Sequence, residues 1–192
     1  MNKMVKKILY SFASLFLIYQ SLAILRSIHH LETDSFGLLL FLAWIINLFI
    51  TGVFAFPTFA FPTHKLLPAS YYTIRDFNII KRLYQNFKVD WFRKFLLATL
   101  WRNKKQRKGF FDGTREGIEH LEVQSSKAEF GHLLPFIILT VVSIYLLIIG
   151  QFVLGIMCML INIIGNFYPI LLQRHHRMRI QLLKIRQKRK GA

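Results

Sequence analysis

Lys127-Ala128-Glu129-Phe130-Gly131-His132 opens a stretch that continues as LLPFIILTVVSIYLLIIGQFVLGIMCMLINIIGNFYPILL (residues 133–172) and closes on Gln173-Arg174-His175-His176-Arg177-Met178-Arg179. Its 40 central residues include no Asp, Glu, Lys or Arg. A bilayer core about 30 Å thick is crossed by about 20 helical residues, so this run makes two spans and not one. Gly150-Gln151 lies near the middle and reads as the turn of a membrane hairpin, with spans at residues 133–149 and 152–172. A carboxylate and an imidazole stand at its entrance and a cluster of cations at its exit.

Working outward, the rest of the chain fits the same solvent. An apolar share of 54% with positive mean hydropathy favours a membrane protein. Residues 8–25 and 36–56 form two further spans, the first retained because no small-residue cleavage site follows Leu25. Trp44 and Asn47 lie inside the second, where an asparagine is expected to bond a neighbouring helix. The expected fold class is therefore all-α: one integral membrane domain of about four transmembrane helices, with interfacial amphipathic helices beside them.

The net charge of +17 would suit a nucleic-acid binder if it were spread along the chain. It is instead confined to blocks that abut apolar runs. Lys and Arg number three before the first span, one between the first two, fourteen between spans two and three, and eight after the fourth. With four spans the heavy blocks share one side, which the positive-inside rule makes cytoplasmic. The expected location is the cell membrane, multi-pass, with both termini cytoplasmic, membrane lipids as partners and no nucleic acid.

Residues 57–132 form a cytoplasmic and interfacial region. Pro57, Pro62 and Pro68 predict irregular chain, rich in phenylalanine and placed at the lipid–water boundary. Leu83, Phe87 and Trp91 recur at four-residue spacing among Arg82, Lys88, Arg93 and Lys94, which predicts an amphipathic helix on the membrane surface. A basic run follows at residues 101–108 and a turn at residues 109–113. Helix is expected from Ile118, leading into the third span. Asn162, Gly165 and Asn166 interrupt the fourth span, and residues 173–192 are a basic tail. Cys158 alone can form no internal disulfide and is expected to serve packing.

Glu129 and His132 are three apart and share a helix face. A carboxylate next to an imidazole can fix its tautomer and raise its basicity, which makes a general base. A di-iron reading would need the Glu-x-x-His motif twice, with further acids on partner helices. Here it occurs once, so no metal is expected. Arg174, Arg177 and Arg179 can be read as topological cations or as a guanidinium fork for a phosphate or carboxylate, with Gln173 and His175 adding hydrogen bonds. A hairpin returns its exit to the face of its entrance, which would place base and anion site together.

These same residues carry a resemblance. Lys127-Ala128-Glu129-x-x-His132, with Asn166 followed by Gln173-Arg174-x-x-Arg177-x-Arg179, resembles the two sequence blocks of the glycosyl-4,4'-diaponeurosporenoate acyltransferase family. The likeness spans about residues 87–185. It implies an O-acyltransferase of staphyloxanthin-type carotenoid biosynthesis, without a cofactor and with acyl-CoA as co-substrate. It also implies transfer of a fatty acyl group to a sugar hydroxyl of a lipophilic glycosylated acceptor, next to other enzymes of the pathway. Glu129 and His132 would be catalytic. Lys127, Asn166, Gln173, Arg174, Arg177 and Arg179 would bind substrate. The alternative is a non-catalytic membrane scaffold or lipid-binding protein, which predicts sensitivity to tail charge and indifference to His132.

Overall fold

The apolar runs become helices because a helix satisfies its backbone N–H and C=O groups within the one segment. In a computed structural model the described residues are 2–30, 33, 35–99 and 115–190. Among them the chain is helical and without strands. Helix α1 is Lys3–Ser27, α2 Phe36–Ala60, α3 Ala69–Tyr72, α4 Phe77–Asn86, α5 Val89–Ala98, α6 Arg115–Ile148, α7 Phe152–Asn162 and α8 Tyr168–Lys190. A π-helical turn, Ile163–Phe167, joins α7 to α8. Among the described residues, four helical stretches are long and apolar enough to cross a membrane: α1, α2, Gly117–Ile148 and Phe152–Arg186. The basic run at 101–108 and the turn at 109–113 lie outside the described residues.

The hairpin turn is where the sequence placed it. Gly150 has φ +84°, its N–H bonds Leu147 O at 3.2 Å, and the Gln151 N–H bonds Leu146 O at 2.9 Å. That pair of bonds is a Schellman ending, which needs a left-handed residue and takes glycine at least cost.

The described chain divides into two compact units. The first comprises Met1–Thr63 and Phe130–Phe167. Its core is Leu39, Ala43, Ile46 and Ile50 of α2 with Leu139, Val142 and Leu146 of α6 and Leu154, Met157 and Cys158 of α7. Cys158 is fully buried, as packing requires. The Asn47 side-chain amide donates to Cys158 O at 3.2 Å, tying α2 to α7 as expected of an asparagine in a span.

Helix α2 corrects one expectation. It does not stop at Pro57 but runs on to Ala60. A proline inside a helix leaves the carbonyl four residues earlier without a donor. Here that carbonyl is Val53 O, and the Ser14 hydroxyl of α1 donates to it at 2.7 Å. The orphaned acceptor is satisfied from the neighbouring helix, so the helix need not end.

The second unit comprises His64–Glu129 and Tyr168–Ala192. Ile74, Ile80 and Met178 form its small core, with Phe77 and Leu182 against them. Asp76 caps α4 by accepting from the N–H groups of Asn78 and Ile79 at 2.7 and 3.1 Å. The amphipathic helix expected across Leu83, Phe87 and Trp91 is two helices. Phe87 closes α4, and Lys88 takes a left-handed conformation, φ 49°, before α5 starts. Phe87, Trp91 and Phe95 are exposed all the same.

Candidate active site

Two polar clusters contain the residues singled out from the sequence, one in each unit. The first is built around Asn166. It sits on the π-helical turn, four residues after Asn162, and such turns often mark functional sites. Its amide nitrogen donates to Asn162 Oδ1 at 3.0 Å and to Thr51 Oγ1 at 3.1 Å. Both amide hydrogens are thereby used, which leaves Oδ1 facing the His132 Nδ1 at 3.0 Å. A carbonyl oxygen only accepts, so Nδ1 carries the proton and Nε2 is the lone-pair nitrogen of the neutral ring.

Helix packing supports this arrangement. A Cβ on Gly131 would lie 3.1 Å from Thr58 Cγ2 and 3.7 Å from Ala55 Cα. The glycine beside His132 thus lets α6 approach α2 closely, the helix that supplies Thr51. Asn162 is fully buried and donates to Phe136 O at 3.0 Å. Asn166 is 1% exposed, and its amide bonds Thr51, His132 and Asn162. His132 is partly exposed.

The second cluster is ionic. Glu129 is completely buried. Its Oε1 accepts from the Tyr71 hydroxyl at 2.9 Å and from Arg174 Nε at 3.0 Å, and its Oε2 pairs with Arg177 Nη2. Arg177, 1% exposed, also donates from Nε to Tyr72 O at 3.2 Å. The guanidinium groups lie over aromatic faces, Arg174 at 4.9 Å from the Tyr71 ring and Arg177 at 5.1 Å from Tyr72. Buried charges need such pairing, because a lone carboxylate in an apolar interior would cost far more than any contact returns.

The hydrogen-bond partner that orients His132 is thus Asn166 and not Glu129. Both Glu129 oxygens are already engaged by Tyr71, Arg174 and Arg177. Of the cations read as a fork, Arg177 is enclosed, Arg174 is partly exposed and Arg179 is exposed. Gln173 uses its backbone carbonyl to accept from the Ser125 hydroxyl at 3.2 Å, and Lys127 is partly exposed. His175 stacks on Tyr84 with ring centroids 3.9 Å apart. Thr51, Asn162, Tyr71 and Tyr72 were not singled out as site residues. Thr51 and Asn162 each sit four residues from an asparagine already noted, a helical spacing that was the available signal.

Among the described residues the chain is helical, with four stretches long and apolar enough to span a membrane, and an imidazole in it is held by a saturated amide. A family model for glycosyl-4,4'-diaponeurosporenoate acyltransferase matches residues 68–186, more than half of the chain, which belongs to that family. It is an O-acyltransferase, and the family's setting is carotenoid biosynthesis. No curated protein and no solved structure matches the chain.

Proposed function

We propose that the protein transfers a fatty acyl group from acyl-CoA to a sugar hydroxyl of a glycosylated carotenoid or similar membrane lipid. The observation that carries this reading is the His132 Nδ1 bond to Asn166, which leaves Nε2 as the basic nitrogen. Nε2 takes the proton from the attacking hydroxyl as its oxygen forms a bond to the thioester carbonyl. When the carbon–sulfur bond breaks, the imidazolium returns that proton to the thiolate, so the products are an ester and a free thiol. Asn166 is a positioning residue in this scheme, and Thr51 and Asn162 hold it.

Glu129 stabilises the fold around two arginines instead of acting on the imidazole. The buried carboxylate balances one of the two guanidinium charges, so the cluster keeps a net positive charge. Arg174, Arg179, Lys127 and Gln173 are the groups suited to meet the donor's anionic part. The charge distribution supports a cytoplasmic placement of this end and of both termini, in the cell membrane. Cytoplasmic thioester donors would then arrive on the basic side, while an apolar acceptor approaches from the bilayer.

The test is a reconstituted membrane assay with acyl-CoA and a glycosylated lipid acceptor, followed by mass spectrometry. Wild-type protein should add the mass of one fatty acyl group to the acceptor. His132→Gln should lower the rate by roughly 10²–10⁴-fold, the usual contribution of a general base. A His132→Gln protein that acylates at the wild-type rate would sink the assignment.

A further inference from the structure

A second feature of the unit comprising His64–Glu129 and Tyr168–Ala192 is not used by this chemistry. It is a cleft of about 520 Å³ lined by His64, Lys65, Tyr72, Glu122, Ser126 and Gln181, with Leu67, Pro68, Ala69 and Val123 as its apolar side. That volume lies within the roughly 300–1,000 Å³ of small-molecule sites, and an apolar wall with a few converging polar groups is their usual make-up.

Two of the polar groups lack partners. Tyr72 is 9% exposed, and its buried hydroxyl makes no hydrogen bond within the protein. His64 Nδ1 is likewise buried and unpartnered. A buried hydroxyl donor without an acceptor costs about 1–3 kcal/mol, so Tyr72 calls for an explanation. Burial pushes the Tyr72 hydroxyl above its ordinary pKa, which keeps it a proton donor.

The electrostatics choose the ligand's sign. Lys65 lines the cleft, and Lys127 and Lys65 both act on His64, whose pKa is lowered first by burial and then by these two charges. Glu122, the acid in the lining, is paired with Lys184. Arg177 lies over the Tyr72 ring and keeps Nη1 unpartnered. A neutral sugar would leave this positive field unbalanced. A phosphate brings both the charge and the acceptor oxygens.

We infer that this cleft binds a phosphate ester, with Tyr72 and Lys65 as its donors and residues 67–69 and Val123 against the ligand's apolar portion. Two sources share that chemistry: the phosphates of coenzyme A and the headgroup of an anionic phospholipid. The assignment rests on the cleft alone and stands whether or not His132 is the base.

The experiment uses the full chain and the variants Tyr72→Phe, Lys65→Gln and, as a control on an exposed cation outside the cleft, Lys94→Gln. In one arm, coenzyme A binding is titrated in nanodiscs of phosphatidylcholine. In the other, phosphatidylglycerol retained through detergent purification from mixed vesicles is counted by mass spectrometry. Tyr72→Phe and Lys65→Gln should each weaken one arm about tenfold, the worth of one hydrogen bond to a charged group. Lys94→Gln should change neither arm by more than about twofold, the scale of an exposed charge.

A response in the coenzyme A arm assigns the phosphate to the thioester, and a response in the lipid arm assigns it to the bilayer. Both arms within twofold of wild type for both variants would overturn the site. Should Tyr72→Phe prove unstable, Lys65→Gln decides alone, since its side chain is exposed. Acyl transfer by the same samples separates this outcome from failure of the His132 assignment, which predicts loss only on changing His132 or its holders.

Discussion

Glu129 and His132 stand three residues apart on one helix, yet their surroundings have opposite character. Around Glu129 every named hydrogen bond is charge-assisted, the carboxylate is fully enclosed and both its oxygens are engaged. Around His132 every named side-chain partner is neutral, the ring is partly exposed and one nitrogen keeps its lone pair. The first surrounding suits holding a shape. The second suits exchanging a proton. Spacing on a helix brings two residues to one face, but the donors and acceptors supplied by other helices decide what each can do.

The contrast predicts different failures. Glu129→Ala leaves Arg177 buried without its counter-charge, and breaking such a pair costs about 3–5 kcal/mol. Thermal unfolding in detergent should show that loss, together with poor yield. Normal stability with lost activity would reverse the roles argued for the two residues. His132→Gln comes next, with the rate loss already stated and stability within about 1 kcal/mol, since a partly exposed side chain leaves no buried charge behind. Asn166→Ala should lower kcat by about tenfold or more with KM nearly unmoved, because it sets the ring's tautomer and not the substrate's fit. A change confined to KM would instead make Asn166 a substrate contact.

Two smaller effects sharpen the comparison between the units. Ser14→Ala removes the donor to Val53 O and should cost about 0.6–1.7 kcal/mol, as interhelical hydrogen bonds in membranes do. The unfolding midpoint in bicelles reads it, and a Pro57→Ala background should erase the difference by restoring the helix's own donor. The other effect is the pH response of His64. Its folded pKa is lowered, so below its ordinary value near 6.5 the unfolded chain binds more protons than the native one. The contribution of His64 is complete above that pH. It is lost as pH falls from about 6.5 towards the depressed folded value. Comparing unfolding midpoints at pH 7.5 and 5.5, His64→Gln should flatten the slope seen in wild type.

The sequence made the spans and the hairpin readable because they follow from local quantities. An uncharged run twice the length of a membrane helix must turn, and Gly150 is the residue that tolerates the turn. The position of His132 at the start of the apolar run was equally plain. Less was readable wherever the deciding partner is remote. Nothing near Pro57 indicates that Ser14, 39 residues before Val53, will satisfy the carbonyl it orphans. The four-residue spacing of Leu83, Phe87 and Trp91 looked continuous because a left-handed Lys88 has no pattern of its own. Glu129 looked like a partner for His132 because the arginines that claim it are 45 and 48 residues away.

The family match begins at residue 68, beyond both of the first two helices. Thr51, which grips Asn166, and Ala55 and Thr58, which make room for Gly131, all belong to that unmatched portion. A truncated chain holding residues 68–186 would keep imidazole, amide, arginines and the Asn162 bond while losing the Thr51 hydroxyl and the α2 surface against Gly131. Asn162 Oδ1 would still draw the amide nitrogen away from the ring, because a hydroxyl donates and accepts alike and only the carbonyl tells the two ends of the amide apart. The leading helices thus supply the amide's second anchor and its packing, and transplanting the matched region onto another pair of helices would ask them for a hydroxyl at the position of Thr51.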